Sequence, residues 1–563
     1  MQAVRQKFKK ATSTRKGRVF LAIILVILLL AVAGIIYWQT HKKKIIRDKL
    51  ESAIQDKSGG LYSIKYETLD LDEVTGYLSV TNLTLEYDSL KYQALVKADQ
   101  APPILLKIHV PELTVVGVQT PKALIDKEIN GKKLEIKNPT IEILYTMQGK
   151  DSARNVPTKE IYEQILGNLN QIVMDTVSIT GAHITTRNLK KKRANVELTG
   201  ANVQLIGIQV DSAANADTTR LLFAREANIS CEELVWWSTN KLYKYGIKGV
   251  AVNSATRDVH VNSFAIEPQL AEDAFVRSLP TQDDRFDFLL RDIVLRNIDF
   301  PQLMEEEVTA DSILIGSGTF KIYRDLNMPR DTKNRVGTYP HQSITKLAIP
   351  VFVKKIILSN AFIEYKERSA ITKQAGKVQF YNAYATISNL TNRKEAIAKN
   401  NTMSVDINTR FLNKTPFKVS WHFYLGNPGG RFTVKGNLGS INAKDLNVLA
   451  EPMGPARIED GRINSLQFDL AGNDYSMNGT VQLLYDDLKV ALLEKDKDSK
   501  EWDKKNLTSF LANLLIKNSN PPGKNKEPKT VTVTNERDTN RSIFHLSWKT
   551  LFKGVKETIG VKK

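Results

Sequence analysis

Side chains suited to acid–base or metal chemistry are spread thinly along this chain. The paired carboxylates Asp283–Asp284 and Asp486–Asp487 are the closest approach to a general acid and base. No HExxH, HxH, GxSxG or Walker pattern occurs. The histidines are scattered, at His41, His109, His183, His260, His341, His422 and His545. We therefore predict a protein that is not an enzyme and that uses no metal or other cofactor.

The one Gly-rich candidate for a phosphate loop is Ile315-Gly316-Ser317-Gly318. No helical pattern follows it, whereas a phosphate loop opens directly into a helix. We predict a turn between strands at this place. We expect the paired acids to be solvated rather than catalytic.

The chemistry that the sequence does favour is the binding of apolar chains. In the two segments around Phe417 and Val481, every second residue is apolar and most of the residues between are polar. The predicted groove-lining residues are Phe417, Val419, Trp421, Phe423, Leu425, Val481, Leu483 and Tyr485. Such a face either packs as an ordinary β core or contacts lipid acyl chains, and we favour the second interpretation.

The elements that position these residues are strands. Period-two alternation recurs from Leu61 onward, and turn sequences such as Asn427–Gly430 and Ala471–Asp474 separate the runs. The short connections predict a mainly β, elongated, antiparallel twisted sheet with a few short helices. Its apolar face needs a second sheet, closure into a barrel, or an apolar ligand. We expect an open groove that holds such a ligand.

The N-terminus carries a candidate membrane anchor. Residues 19–38 form an uncharged apolar run, long enough as a helix to cross a bilayer. Tyr37 and Trp38 at its far end are of the types that prefer the membrane interface. Ala31-Val32-Ala33 also resembles a signal-peptidase site, so cleavage after Ala33 is the alternative to a retained span. Either way the body of the protein is exported.

The net charge of +19 does not point to nucleic acid. Residues 1–18 hold seven Lys and Arg and no acid, residues 39–50 hold five against one acid, and residues 541–563 hold six against one. These three segments account for +16 of the total. Basic charge next to a membrane anchor and at the C-terminus suits anionic lipid headgroups.

The C-terminal segment reads as an amphipathic helix over 542–559. Its apolar stripe includes the predicted membrane-interface residues Phe544, Trp548, Leu551 and Phe552, and lysines flank the stripe. The alternative is a helix that covers the last strand of the sheet. A second helix is predicted over 502–516. We thus divide the chain into a basic tail (1–18), an anchor (19–38), a juxtamembrane helix (39–60), an N-terminal β-groove region (61–340), a C-terminal β region (341–500), and amphipathic helices with a tail (501–563).

Three stretches resemble a known family. The block IEDGRINSLQFDLAGNDYSMNGTVQLLYDDLKVALLEKD (458–496), the block at 320–368 and the tail are similar to the C-terminal region of AsmA-like envelope proteins of the Bacteroidota type. The likeness covers roughly 290–560 and the anchor. It implies a single-pass inner-membrane protein with a cytoplasmic N-terminus, a periplasmic body, and a repeating β-groove of the bridge-like lipid transfer kind.

These observations together predict a protein that binds membrane phospholipids in a β-groove. Its expected role is phospholipid transport or lipid homeostasis in the cell envelope, at the inner membrane and with a possible envelope protein partner. The alternative is a non-enzymatic envelope scaffold, or an outer-membrane assembly factor, whose sheet is a closed core that acts through protein contacts.

Overall fold

A computed structural model describes most of the chain after residue 53. The described residues are 54–55, 58–72, 74–118, 127–146, 166, 169–189, 195–217, 219–454, 456–495, 502–504, 517–523 and 525–560. They form two compact units. Unit 1 comprises Met1–Phe264 with Asp299–Glu306, and unit 2 comprises Ala265–Ile298 with Glu307–Lys563.

The fold is mainly β. The strands are β1 Tyr62–Lys65, β2 Thr68–Asp72, β3 Tyr77–Tyr87, β4 Ile104–Val116, β5 Glu128–Lys137, β6 Thr140–Tyr145, β7 Gln171–Asn188, β8 Val196–Val210, β9 Glu226–Trp237, β10 Tyr243–Asn253, β11 Asp258–Pro268, β12 Arg285–Arg296, β13 Val308–Asp325, β14 Val351–Arg368, β15 Ala375–Thr391, β16 Thr402–Phe411, β17 Thr415–Tyr424, β18 Phe432–Leu438, β19 Ile441–Asn442, β20 Ala456–Gly472, β21 Ser476–Lys495, β22 Trp502–Lys504 and β23 Thr530–Glu536.

The helices of the described residues are short apart from the last. They are α1 Ser89–Lys97, α2 Ser212–Ala216, α3 Glu272–Arg277, α4 Phe300–Met304, α5 Pro340–Thr345, α6 Lys394–Lys399, α7 Asn447–Met453 and α8 Ile543–Ile559, with a 3-10 turn at Ala443–Leu446. The predicted C-terminal helix is confirmed as α8, which begins at the N-cap Ser542 and ends at Gly560 in the left-handed conformation. The helix predicted over 502–516 is wrong where it is described, because Trp502–Lys504 is strand β22 paired with β21.

In unit 1 the strands pair mainly with their neighbours in sequence. β1 and β2 pair with successive parts of β3, and β3 pairs with β4. β4 in turn pairs with β5 and β6, which lie end to end. Both run parallel to β7, after which β7, β8, β9 and β10 are antiparallel. Side chains at paired positions of successive strands therefore form rows that run across the sheet of this unit.

Unit 2 repeats this plan. β12 and β13 are antiparallel, β13 and β14 are parallel, and β14 to β18 are antiparallel in order. β18 and β19 pair with successive parts of β20, which pairs with β21, and β21 pairs with β23.

The predicted all-antiparallel sheet is corrected to a mixed sheet. Parallel neighbours need a crossover of a dozen residues or more, and short connections had been expected throughout. The crossovers are residues 146–170, between β6 and β7, and residues 326–350, between β13 and β14. Each crossover is 25 residues long. This length is enough to carry the chain back along the sheet, so that the next strand can run parallel to the strand before the crossover.

An Asn within a strand often marks a bulge or a local bend. Asn360 in β14 lies where the register with β15 shifts between Leu358 and Ala361, whereas Asn82 in β3 has a φ of 48° in a register with β4 that does not shift. The turn predicted at Ile315–Gly318 is wrong, since these residues lie within β13. Gly318 is there because a Cβ would come within 2.9 Å of the Phe320 ring.

The predicted anchor (19–38) and juxtamembrane helix (39–60) lie almost wholly outside the described residues. Among the residues that are described, no helix combines the length and the apolar character that a membrane span needs.

Candidate functional site

The most regular feature of unit 2 is an apolar row that crosses ten strands. Its members are direct register partners from strand to strand, so they share one face of the sheet. This first row consists of Ile293, Ile315, Leu358, Ala385, Ile407, Val419, Gly436, Phe468, Val481 and Val531. At the one glycine, the Phe468 ring occupies the space where a Cβ of Gly436 would lie. The apolar character therefore continues without a gap.

A second row runs beside the first on the same face. It consists of Leu295, Ile313, Ile356, Ile387, Val405, Trp421, Val434, Leu470, Gly479 and Val533. At strand spacing, ten strands extend each row for about 43 Å. The two rows form a continuous apolar strip, which we call the unit 2 strip.

The opposite face of unit 2 differs in chemistry. The row between the two apolar rows consists of Val294, Leu314, Ile357, Thr386, Asp406, Ser420, Lys435, Asp469, Thr480 and Thr532. From β15 onward it is polar, and Lys435 and Asp469 form an ion pair of 2.8 Å. From β15 onward the sheet is thus amphipathic across its thickness, whereas on β12 to β14 these rows are apolar on both faces.

Unit 1 carries the same pattern independently. One apolar row consists of Leu69, Val80, Leu113, Ile136, Ile179, Val203, Ile229 and Val252, and another of Ile64, Leu85, Ile108, Ile141, Ile184, Leu198, Leu234 and Ile247. The opposite face carries the polar row Asp70, Ser79, Thr114, Glu135, Ser178, Gln204, Asn228 and Asn253. We call its two apolar rows the unit 1 strip.

Each strip has a buried part and a partly exposed part. In unit 1 the residues on β3 to β5 are buried, as with Val80 and Ile136, whereas those on β8 to β10 are partly exposed. In unit 2 the order is reversed along the chain. Every strip residue on β13 to β16 is partly exposed, and Val481 and Val533 near the C-terminus are fully buried.

Helix α8 covers the buried end of the unit 2 strip. Ile543 and Leu546 pack in one cluster with Val481, Val531 and Val533. Farther along the helix, Gly554 allows close approach, since a Cβ there would lie 2.6 Å from Val481. Helix α8 therefore covers the last strands of the sheet, which is one of the two roles predicted for it.

The predicted groove-lining residues lie mainly at this covered end. Trp421, Phe423, Leu425 and Val481 are buried in the cluster beneath α8, and Leu483 and Tyr485 are buried in a second cluster. Phe417 and Val419 are partly exposed on β17. Six of the eight therefore contact other side chains rather than an open surface.

The predicted membrane-interface residues differ in how far their side chains are exposed to solvent. Phe544, Trp548 and Phe552 are exposed on the outer side of α8. Leu551 is partly buried and packs against the cluster that α8 covers. Tyr37 and Trp38 lie outside the described residues.

The exposed part of the unit 2 strip was missed as a site by sequence reasoning. In β13 the run Ile313-Leu314-Ile315 is apolar on both faces, so alternation does not distinguish the face that the strip uses. For Ile407 the alternation was visible, but its partners Ala385 and Val419 follow only from the register.

A buried polar junction fixes the segment that leads into α8. Arg537 and Asp474 form an ion pair of 2.9 Å, with side chains 1% and 2% exposed. Gln342 donates to the second Asp474 oxygen at 2.6 Å, and Arg537 donates to the carbonyl of Arg335 at 2.7 Å. The backbone N–H of Asp474 donates to Gly429. The two turns noted in the sequence, the crossover after β13 and the α8 leader thus meet at one point, which we call the polar junction.

His341 is buried beside the polar junction. Its ring lies 5.0 Å from that of Phe423 and 6.2 Å from that of Tyr339, and among the described residues neither ring nitrogen meets a partner at hydrogen-bond distance. Burial lowers the pKa of His341 to about 4, although the Asp474 carboxylate acts in the opposite direction. Burial also raises the pKa of the Tyr339 hydroxyl to about 12.

This environment predicts acid sensitivity. The unfolded chain binds a proton at His341 near pH 6.5 and the folded chain only near pH 4, so stability is complete above pH 6.5 and falls as the pH drops towards 4. The loss from His341 approaches about 3 kcal/mol. His341→Phe should stabilise the protein and flatten the curve, as measured by urea unfolding between pH 4 and 7.5. If the slope of stability against pH were unchanged by the substitution, His341 would not be the source of the acid sensitivity. Burial also lowers the pKa of His545 to about 4, so we expect part of the slope to persist in the variant.

Within the described residues, no group of three or more His, Cys, Asp or Glu side chains is arranged to hold a metal ion. The acids Asp283 and Asp284 face arginines: Asp284 pairs with Arg324 at 2.7 Å and Asp283 with Arg335 at 3.9 Å. These carboxylates therefore have a structural explanation.

Comparison with known proteins adds no assignment. No protein-family model matches this chain, and no curated protein matches it.

Proposed function

We propose that this protein binds lipid acyl chains along its apolar strips, as a membrane-anchored envelope protein that serves phospholipid transport or lipid homeostasis. In this proposal the N-terminus is cytoplasmic, residues 19–38 span the inner membrane, and the two units are periplasmic. The resemblance to AsmA-like proteins points the same way. The strip of each unit then acts as an open groove for acyl chains.

The observation that carries the proposal is the partly exposed part of each strip. On β13 to β16, eight aliphatic residues of consecutive strands share one face, and all eight are partly exposed: Ile313, Ile315, Ile356, Leu358, Ala385, Ile387, Val405 and Ile407. Two of them, Ile387 and Val405, also pack against the cluster beneath α8 and border its covered part. A contiguous apolar surface of this kind marks an interaction site in a soluble domain. Each strand contributes only alternate residues to this surface, so the strip is narrow. A narrow apolar strip that continues from strand to strand suits an unbranched acyl chain.

The mechanism follows from the hydrophobic effect. Each CH₂ group of an acyl chain moved from water onto the strip contributes about 0.8 kcal/mol. Side chains of similar size on every strand give successive positions similar affinity, so a bound chain can shift along the strip at little cost. The polar headgroup stays in water, because its burial without partners costs several kcal/mol.

A scaffold function is favoured by a different observation. The covered end of the unit 2 strip is an ordinary core, in which Trp421 stacks on Phe423 at 5.6 Å and Phe432 is fully buried. A protein whose strips were covered throughout by other proteins would act as an assembly factor. The partly exposed strips would then be protein interfaces.

The test is the lipid content of the full-length protein purified in mild detergent. Native mass spectrometry with lipid extraction should find several phospholipids per chain. Their displacement by an added fatty acid should leave the fold intact, as circular dichroism would show. A lipid-free protein that unfolds cooperatively, and that binds no added phospholipid, would instead support the scaffold.

A further inference from the structure

The C-terminal helix α8 carries its largest aromatic side chains on its outer side. Phe544, Trp548 and Phe552 are 65%, 54% and 46% exposed. Their spacing of four residues places them in line along the helix. The rings of Trp548 and Phe552 stack with centroids 5.8 Å apart and an interplanar angle of 11°. We call these three residues the aromatic arc.

Packing on the sheet explains Phe544, whose ring contacts Trp421, but not Trp548 and Phe552. The inner side of α8 is supplied by Ile543, Leu546 and the small residues Thr550, Gly554 and Thr558. The aliphatic side chains of Leu551, Val555 and Ile559 also pack against the sheet. The hydroxyls of Thr550 and Thr558 donate to carbonyls one turn back in the same helix. The helix thus packs aliphatic and small side chains against the sheet and leaves the large rings of Trp548 and Phe552 on the outside, where cover of the sheet does not require them.

Lysines adjoin the aromatic arc. Lys549 and Lys556 are exposed on the same outer half of α8, and the Lys556 Nζ lies 5.1 Å from the centre of the Phe552 ring. On the side facing β23, Lys553 donates to the carbonyl of Thr534 at 2.7 Å. Residues 541–563 hold six basic residues against the single acid Glu557. The surface therefore combines apolar rings with positive charge.

We propose that the outer side of α8 binds the surface of an anionic lipid bilayer. Trp and Phe rings lie at the boundary between headgroups and acyl chains, and lysine stems extend to reach phosphate oxygens. The charge complementarity selects an anionic membrane over a neutral protein surface. This inference goes beyond acyl-chain binding along the strips, since a scaffold could dock in the same way.

The test uses full-length protein held in phosphatidylcholine nanodiscs and mixed with acceptor vesicles. The protein should float with phosphatidylglycerol-rich vesicles and not with pure phosphatidylcholine vesicles. Trp548→Ser with Phe552→Ser should weaken vesicle binding about tenfold. Lys549→Gln with Lys556→Gln should weaken it about thirtyfold at low salt and have little effect at high salt. Phe544 is left in place because its ring contacts Trp421.

Tyr475→Ser is the matched control, because Tyr475 is an equally exposed aromatic residue of unit 2 outside α8. Binding by the aromatic double variant that equals binding by this control would overturn the inference. So would loss of co-purified lipid in that variant with vesicle binding unchanged, an outcome that assigns the arc to acyl chains and supports the proposed function. A dimer of the wild type that the aromatic double variant abolishes, without vesicle binding, would assign the arc to a second copy and also overturn it.

Discussion

Ile407→Asp should reduce lipid occupancy at the middle of the unit 2 strip about a hundredfold, since a carboxylate in an acyl environment costs about 3 kcal/mol. Ile407 is partly exposed on β16 between Ala385 and Val419, its register partners. Transfer of lipid between vesicles should fall more than total occupancy, because every lipid that moves along the strip must pass this position. Lipid counting by native mass spectrometry and a fluorescent-lipid transfer assay measure the two effects.

The adjacent residue provides the control. Asn408 is exposed on the opposite face of β16, opposite Lys418, so Asn408→Asp introduces the same carboxylate beside a compatible charge. We expect wild-type lipid content and transfer from this variant. Equal loss in both variants, or none in either, would show that the strip does not carry acyl chains.

Removal of Arg537 should be the most damaging single change to stability. Arg537→Ala leaves the Asp474 carboxylate buried without its countercharge, which costs about 3–5 kcal/mol. Because Arg537 also binds the carbonyls of Arg335 and Arg541, the leader of α8 loses its attachment. Urea unfolding should show the loss, and hydrogen exchange should show faster exchange in α8 and β23 than in β12.

A double variant distinguishes the cost of an unpaired buried charge from the cost of shortening the Arg537 side chain. Asp474→Leu combined with Arg537→Met removes both charges, and should recover most of the lost stability. Arg431→Ala, at an exposed arginine that lies over Tyr424, should change stability by less than about 1 kcal/mol. If Arg537→Ala were as mild as Arg431→Ala, the polar junction would not hold α8 in place.

The strands could be read from the sequence because alternation is a local property. Phe417 to Leu425 and the helix over 542–559 both follow from the spacing of apolar residues alone. The covering of Val481 by α8 could not be read in this way, because it joins residues far apart in the chain. Spacing identifies the apolar side of a strand, but it does not indicate whether a helix or solvent lies over that side.

Parallel pairing was also beyond local reasoning. The alternation of residues in β13 and β14 does not distinguish parallel from antiparallel pairing. The two strands are parallel, and a crossover of 25 residues connects them. The polar junction illustrates the same limit: the turns at Gly429 and Asp474 were recognised as turns, but their meeting with Arg537 depends on the whole topology.

Most strands of unit 2 after the crossover pair with the strand before and the strand after, and each contributes one residue to each apolar row. The length of the strip is therefore set by the number of hairpins. Deleting one hairpin, such as β16 with β17, would bring β15 beside β18 in antiparallel orientation and shorten the strip by about 10 Å. A protein built in this way can change its reach over evolution in steps of two strands, without redesign of what remains.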